Sequence, residues 1–459
     1  MPGLRAGQVT LCSRKGEAEF QPASRLDVIQ LTCPADGHTT LTADTHHDSP
    51  WANVNMSAEG SRKPQVVVVG GQFAGRRAAK LLRRGGQFGV TLVDAKSFWE
   101  YTPGALRCLV EPRATRRLLQ PHPPGTVNAT AVGFEKTKTQ EGDAVKGVKL
   151  NDGSNLRADY VVLATGSSYV SPIKAASDKP CSVEDRKKNI IAAHKNLASA
   201  PSVLIVGGGT VGVELAAEIV GVWGKSKSVT IITPHSRLLE RMPPRAGMLA
   251  QRWLAKKGVR VILNDRIEDW GGSKTGGDPA LKPSGGTWKL QTRGGEELHA
   301  SLVYPCIGGA PAAGPAEKSS LGSRGEVNVD ESFRVEGLRN VFAVGDCAGT
   351  AEEKTAFTAD LNATAVAHNI RAAHNGKRVK EYPKVCGAQS VPSIAVVSLY
   401  KWSAVMQFNK LVVGGPVPAL VKWFIETMQV HAAKETPVLT ELWDVVEQTN
   451  VFLGGFMFK

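Results

Sequence analysis

Apolar residues in this chain gather into short unbroken runs that end in glycine, and the arrangement occurs twice. Val66 to Val69 runs into Gly70-Gly71-Gln72-Phe73-Ala74-Gly75, and Val203 to Val206 runs into Gly207-Gly208-Gly209-Thr210-Val211-Gly212. An apolar run without alternation predicts a strand buried on both faces, as in a parallel sheet. After the first glycine-rich turn the spacing becomes helical. Ala78, Leu81 and Leu82 form an apolar stripe, and Arg76, Arg77, Lys80, Arg83 and Arg84 fall largely off it as a solvated basic face. After the second, Val213 to Ile219 opens another helix. More strands are expected at Val90–Asp94, Asp159–Leu163, Ser228–Thr233 and Asn340–Val344. Strands alternating with helices predict an α/β fold.

Glycine in these turns has a physical purpose. Gly207 allows the tight turn, Gly209 lets the backbone approach a pyrophosphate, and Gly212 lets the following helix pack against the strand. The helix then offers free N–H groups and a positive dipole end to phosphate. Two such turns imply two nucleotides held at once, with electrons passing between them. The first turn departs from the pattern, because Gln72 stands where the second glycine of G-x-G-x-x-G is expected. Either the loop shifts and the Gln72 amide contacts the phosphate, or affinity falls. Asp94 ends the second strand about 20 residues downstream, where a carboxylate accepts from ribose hydroxyls.

Two more segments fit the same scheme: Ala164-Thr165-Gly166 after a strand, and Gly345-Asp346 after another. In this order, flanking an inserted glycine-rich unit, they resemble the A-T-G and G-D signatures of flavoproteins with two dinucleotide-binding domains. Within that superfamily the chain is most similar to the ferroptosis-suppressor and apoptosis-inducing-factor-like branch, near type II NADH dehydrogenases. Tyr101 to Pro112, Gly207 to Glu218, Val344 to Ala348, Val397-Ser-Leu and Leu420-Val-Lys carry the likeness, which runs from about Lys63 to about Ala433.

The resemblance implies two Rossmann-like domains, an FAD domain interrupted by an NAD(P)H domain, plus a small α+β C-terminal region. The expected boundaries are 62–180 and 311–378 for FAD, 181–310 for NAD(P)H and 379–459 for the C-terminal region. FAD falls to Gly70, Gly71, Gln72, Phe73, Ala74, Gly75, Asp94, Arg107, Thr165, Gly166, Gly345 and Asp346. NADH or NADPH falls to Gly207, Gly209, Gly212, Glu214 and Arg237. Glu214, near the nicotinamide–flavin contact, and Lys354, leading into the helix beneath the flavin, are the implied catalytic residues. The implied reaction is hydride transfer from NAD(P)H to flavin, then electrons to a ubiquinone-like quinone at a membrane surface. The alternative is a mainly signalling or nucleic-acid-binding flavoprotein. Ala359-Asp360-Leu361-Asn362-Ala363 replaces the A-Q-x-x-x-Q signature of type II NADH dehydrogenases, which tilts the reading away from a respiratory enzyme.

Composition narrows the classes further. Cys12, Cys33, Cys108, Cys181, Cys306, Cys347 and Cys386 are scattered, without the C-x-x-x-x-C or C-x-x-C pair that a disulfide reductase needs. No His/Cys spacing suits a metal, and none is expected. The net charge of +14 suits an anionic membrane or capture of dinucleotides. No basic run with interleaved aromatics marks nucleic-acid binding, which is not expected.

Residues 1–61 have neither transit-peptide nor signal-peptide character and are expected to be disordered; Met56 is where a family member would begin. The loops 271–286 and 310–325 are expected to be flexible. No run reaches the roughly 20 apolar residues of a membrane span. Leu420, Trp423, Phe424 and Met428 fall near one helical face, and an aromatic cluster closes the chain at Val451–Lys459. Peripheral membrane contact and a homodimer through this region are both open. The implied location is cytoplasmic and peripheral on a membrane, with the mitochondrion as alternative. The strand Ser228–Thr233 ends without a carboxylate, so NADPH is expected to be accepted at least comparably with NADH. Arg237 and His235 are the candidates for its 2′-phosphate, unless Arg237 is a solvated surface residue.

Overall fold

The computed structural model describes residues 62–140, 142–169, 172–175, 180–270, 286–436, 438–439, 441–446 and 449. Expectations for 1–61, for 271–285 and for the aromatic cluster at 451–459 lie outside these residues. All described residues belong to one contact unit, 49–459.

β1 (Gln65–Val69), α1 (Phe73–Arg83) and β2 (Gly89–Val93) form a parallel β–α–β unit with Val66 opposite Val90. The valines of β1 are buried, and β-branched side chains suit a strand covered on both faces. β3 (Phe98–Glu100), α2 (Ala105–Val110), α3 (Thr115–Leu118) and β4 (Leu119–Pro121) follow. An antiparallel sheet of β5 (Ala131–Thr139), β6 (Gly142–Leu150) and β7 (Asn155–Arg157) precedes β8 (Tyr160–Leu163), which returns parallel to β1. β9 (Ser167–Ser168) leads out of this sheet.

α4 (Val183–Ser199) opens the second unit through a reciprocal cap. The Ser182 hydroxyl accepts from the Asp185 amide and the Asp185 carboxylate accepts from the Ser182 amide. β10 (Ser202–Val206), α5 (Thr210–Trp223), β11 (Ser228–Ile232), α6 (Pro244–Lys256) and β12 (Arg260–Ile262) repeat the doubly wound pattern. β13 (Ile267–Asp269), β14 (Trp288–Thr292) and β15 (Glu297–Ala300) make an antiparallel layer, and β16 (Leu302–Pro305) completes a parallel sheet ordered β12-β11-β10-β16. β17 (Ala310–Pro311) then pairs with β9, and β18 (Val341–Ala343) finishes the first sheet as β18-β8-β1-β2. The first sheet is therefore closed only after the second has been built. α7 (Ala356–His374) packs on α1, burying Ala78 and Leu82 with Val366 and Ile370. β19 (Ile394–Ser398), β20 (Ala404–Phe408) and β21 (Leu411–Gly415) form an antiparallel sheet followed by α8 (Pro416–Ala433).

Three expectations need correction. The basic face of α1 is not solvated. Arg76 donates to the carbonyl of Ala433, Arg77 and Arg84 pair with Asp444, and Lys80 Nζ lies 3.1 Å from Asp444 Oδ2. A C-terminal segment crosses this helix, and one carboxylate gathers three of its cations. The segment 310–325 is not a free loop: β17 pairs with β9, the Ala312 amide donates to Gly166 O at 2.9 Å, and Ala313 and Ala316 pack on a core. Met428 points inward and is buried, whereas Leu420, Trp423 and Phe424 are exposed, so the four do not share one outer face.

Arg186 is the largest fully buried charged side chain among the described residues. On α4 it falls in phase with Ile190, Ala193 and Leu197 on the buried stripe, and it is 1% exposed. Its Nε and Nη2 donate to Glu100 Oε1 at 2.9 and 2.7 Å, and its Nη1 and Nη2 donate to the carbonyls of Pro172 and Ile173. Removing one partner strands the other charge in a low-dielectric interior. Arg186→Met is expected to cost about 3–5 kcal/mol in denaturant unfolding, and Glu100→Gln in the same chain to recover much of that loss. A loss in the double variant equal to the sum of the two single-variant losses would show that the pair is not coupled.

Candidate cofactor and active site

The first glycine-rich turn is built as a cradle. Gly70 has φ +101° and a Cβ there would overlap Ala164 O, while a Cβ on Gly75 would overlap Gly70 O. Only glycine lets α1 start against the carboxyl ends of β1 and β8. Ala74 is buried beneath Gly345, which has φ +72°. Phe73 stands against Trp99 and Tyr101, with ring centroids 5.3 and 6.1 Å away. The Gln72 side chain is not left free to contact a phosphate. It turns into the protein: Nε2 donates to Asp94 Oδ2 and Phe98 O at 3.2 and 3.0 Å, and Oε1 accepts from the Glu100 amide at 3.0 Å. Gln72 thus fastens the turn to the end of β2 and to β3.

Asp94 accepts from the Gly71 amide at 2.6 Å and the Lys96 amide at 2.8 Å. Burial alone would raise its carboxyl, but His122, Lys96 and the Lys96 amide hold it below the ordinary range. On the opposite side of the turn, Thr165 donates to Ala312 O and Gly166 has φ +74°. Asp346 accepts from Ser167 Oγ at 2.7 Å, and Lys174 Nζ donates to the same Oγ at 2.9 Å while lying 3.9 Å from Asp346 Oδ2. Burial pulls the Lys174 ammonium below its ordinary value, opposed by Asp346. Lys174 was not legible in the sequence as a site residue; only the chain's return through β9 brings it to Asp346.

The second turn repeats the geometry. Gly207 has φ +124° and its Cβ would overlap Cys306 O; a Cβ on Gly212 would overlap Gly207 O. A Cβ on Gly209 would meet nothing within 4 Å, so the approach to this turn is open. A cavity of ≈ 370 Å³ begins at Gly207 and is lined by Pro234, Arg266, Glu268, Trp270 and Ile307. Thr233 is buried at the end of β11, with no carboxylate in its place. Arg237 does not reach out as expected. Its Nη1 donates to Leu239 O and Met242 O at 2.9 and 2.8 Å, and its Nη2 to Glu240 O. The guanidinium closes its own loop, and Arg266 is the cation that lines the cavity.

Between the two turns lie paired charges. Glu214, one turn into α5, accepts from the Ser398 amide at 2.7 Å and pairs with Lys422 of α8. Arg107 is engaged within the chain: its Nε and Nη2 grip Glu218 at 2.6 and 2.7 Å, and its guanidinium carbon sits 5.6 Å from the Tyr400 ring centroid. Lys354 spends its donors on the loop after β18, giving hydrogen bonds to Ala348 O at 2.7 Å, Thr350 Oγ1 at 2.6 Å and Gly345 O at 3.4 Å. Burial lowers its pKa. Lys354 holds the Gly345–Asp346 turn in shape instead of presenting a free ammonium. Lys422 lay within the quoted Leu420-Val-Lys segment, but its partner across the fold had no signal in sequence.

Two glycine turns of this shape, each opening a helix beside a parallel strand, fit two dinucleotides. Residues 64–376 match the family described as pyridine nucleotide-disulphide oxidoreductase. The chain belongs to this family. It is 30% identical over 339 residues to apoptosis-inducing factor homolog B of Dictyostelium discoideum, covering 69% of this chain and 83% of that one. It is 30% identical over 330 residues to ferroptosis suppressor protein 1 of Homo sapiens, covering 69% and 82%. In fold it resembles the sulfide:quinone oxidoreductase of Aquifex aeolicus, with TM-score 0.62 at 18% identity, covering 84% of this chain and 95% of that one. It is thus an α/β flavoprotein oxidoreductase of the ferroptosis-suppressor and apoptosis-inducing-factor type, with FAD and NAD(P)H as cofactors. Despite the family's name, Cys108, Cys181, Cys306, Cys347 and Cys386 are all unbridged.

Because Arg237 serves its own loop, Arg237→Ala is expected to leave the NADPH/NADH ratio of kcat/KM within about twofold while lowering stability by ~1 kcal/mol. Steady-state kinetics with both nicotinamides checks this. A selective loss of NADPH turnover would return Arg237 to the nucleotide.

Proposed function

We propose that the protein oxidises NAD(P)H and passes the electrons to a ubiquinone-like quinone while resting on a membrane surface. The observation that carries this reading is the placement of α8. Val417, Leu420 and Trp423 on this helix are exposed to 63%, 63% and 58%. Lys422 of the same helix reaches Glu214 on α5. The helix thus joins an apolar outer surface to the region between the two nucleotide turns, which suits an acceptor with a polar head and an isoprenoid tail. When bound, FAD would take hydride from the nicotinamide and hand electrons to that acceptor. The side chains hold charge nearby: Glu214 and Lys422 neutralise each other, and Tyr101 keeps its proton because burial pushes its phenol up.

Arg117 on α3 pairs with Glu426 on α8, which puts the exposed Arg113 and Arg116 on the neighbouring turn. Cations beside an apolar face suit anionic lipid. Among the described residues no helix is long and apolar enough to cross a membrane; the contact proposed is peripheral, on the cytoplasmic face of a membrane, with the mitochondrion as the alternative. The signalling or nucleic-acid reading gains no support from α1, whose cations are engaged by the C-terminal segment. A thiol mechanism is disfavoured as well. Burial pushes the Cys108 thiol up to about 12, far from the thiolate a nucleophile requires.

Steady-state NAD(P)H oxidation tests the reading. A short-chain ubiquinone is expected to outpace oxidised glutathione by about tenfold or more, and Cys108→Ser to leave quinone turnover intact. Leu420→Ala with Trp423→Ala is expected to weaken sedimentation with anionic vesicles and to slow long-tailed quinones more than short ones. Equal turnover with disulfide and quinone, or loss of all activity in Cys108→Ser, would replace the quinone by a thiol acceptor.

A further inference from the structure

His122 follows β4 and has entered so far only as a neighbour of Asp94. Its side chain is 4% exposed, and neither ring nitrogen has a hydrogen-bond partner in the chain. Nε2 lies 3.4 Å from Asp94 Oδ2, close enough for charge to be felt but longer than a well-formed N–H···O bond. The ring rests over the first glycine-rich turn: a Cβ on Gly71 would come within 2.6 Å of His122 Cε1 and 3.0 Å of Asp94 Oδ2. Buried polar atoms are nearly always paired, so a histidine at the mouth of a nucleotide cradle whose Nε2 has only a long approach to Asp94 and whose Nδ1 has no partner calls for one from outside the chain.

The acceptor inventory of Asp94 points to the chemistry. Its Oδ1 takes the Lys96 amide at 2.8 Å, and its Oδ2 takes the Gly71 amide at 2.6 Å and the Gln72 side chain at 3.2 Å. A carboxylate has about four acceptor positions, so roughly one remains. The adenosine ribose of a dinucleotide brings a pair of adjacent hydroxyls to this end of β2, and one free position does not serve both.

We propose that His122 is a flavin-binding residue that reads the adenosine ribose of FAD together with Asp94. One hydroxyl donates to the remaining lone pair of Asp94, and its neighbour donates to the unprotonated ring nitrogen of His122. The other ring nitrogen keeps its proton and faces Asp94. This division of labour follows from the departure at Gln72, whose amide occupies a carboxylate position that a glycine there would leave open. Gly71 has a matching role, since any side chain there would push the imidazole off the site. The inference rests on FAD being the flavin held by the first turn.

Apoprotein is titrated with FAD and with two FAD analogues lacking the adenosine 2′- or 3′-hydroxyl, following the quenching of flavin fluorescence. Wild-type protein is expected to bind one of the analogues about tenfold more weakly than FAD, the effect of one buried hydrogen bond. His122→Ala is expected to bind FAD about tenfold more weakly and to treat that analogue and FAD alike. An alanine variant that binds FAD within about twofold of wild type, or that still discriminates against the same analogue, overturns the inference. Should His122→Ala not fold by circular dichroism, His122→Phe fills the space without a polar atom and gives the same two readouts. A wild-type protein that binds no FAD would instead overturn the assignment of the flavin itself.

Discussion

Two arginine–glutamate pairs fix how the nucleotide-binding units meet. Arg186, from the helix leading into the second sheet, reaches Glu100 on β3 beside the first turn. Arg107, from α2, reaches Glu218 on α5 behind the second turn. Pairs buried to this degree add little net stability, because desolvation offsets most of the attraction, but the loss of one partner is heavily penalised. Burial in fact raises the Glu218 carboxyl even with Arg107 opposing it. What such pairs favour is one docking over others, because any other arrangement leaves a buried charge unpaired. Hydride transfer demands this, because reacting atoms must be held roughly 3–3.5 Å apart.

The same logic explains the pattern of small residues. Gly70, Gly75, Gly207 and Gly212 each stand where a Cβ would overlap a backbone carbonyl, so strand, turn and helix close into a compact elbow in both units. Gly209 differs, with open space where a side chain would go. The packing glycines shape each turn, and the open one leaves room for a ligand. Polar side chains then tie each elbow to its surroundings: Gln72 to β2 and β3, Lys354 to the Gly345–Asp346 turn, and Arg237 to its own loop.

This division also explains what the sequence could tell. The doubly wound units were legible because apolar runs, glycine turns and helical stripes are local patterns, and β1, α1, β10 and α5 lie where those patterns put them. The partners of charged residues were not local. Arg107 meets a residue 111 positions away and Glu214 one 208 positions away, and no spacing rule reaches across that distance. Arg186 did leave a trace, an arginine in phase with Ile190, Ala193 and Leu197, which is the mark of a buried charge awaiting a partner. The basic stripe of α1 misled for the same reason, because its partners, Ala433 and Asp444, lie at the far end of the chain.

These buried pairs are expected to hold the two cofactor sites in register for hydride transfer. Anaerobic stopped-flow mixing of the FAD-loaded protein with NADH or NADPH tests it directly, by following the bleaching of the oxidised-flavin band in wild type and in Arg107→Met. Rapid bleaching is expected in wild type, and a bleaching rate lower by about tenfold or more in the variant, with FAD content unchanged. Flavin that dithionite reduces but neither nicotinamide does, or a variant that bleaches as fast as wild type, would contradict it.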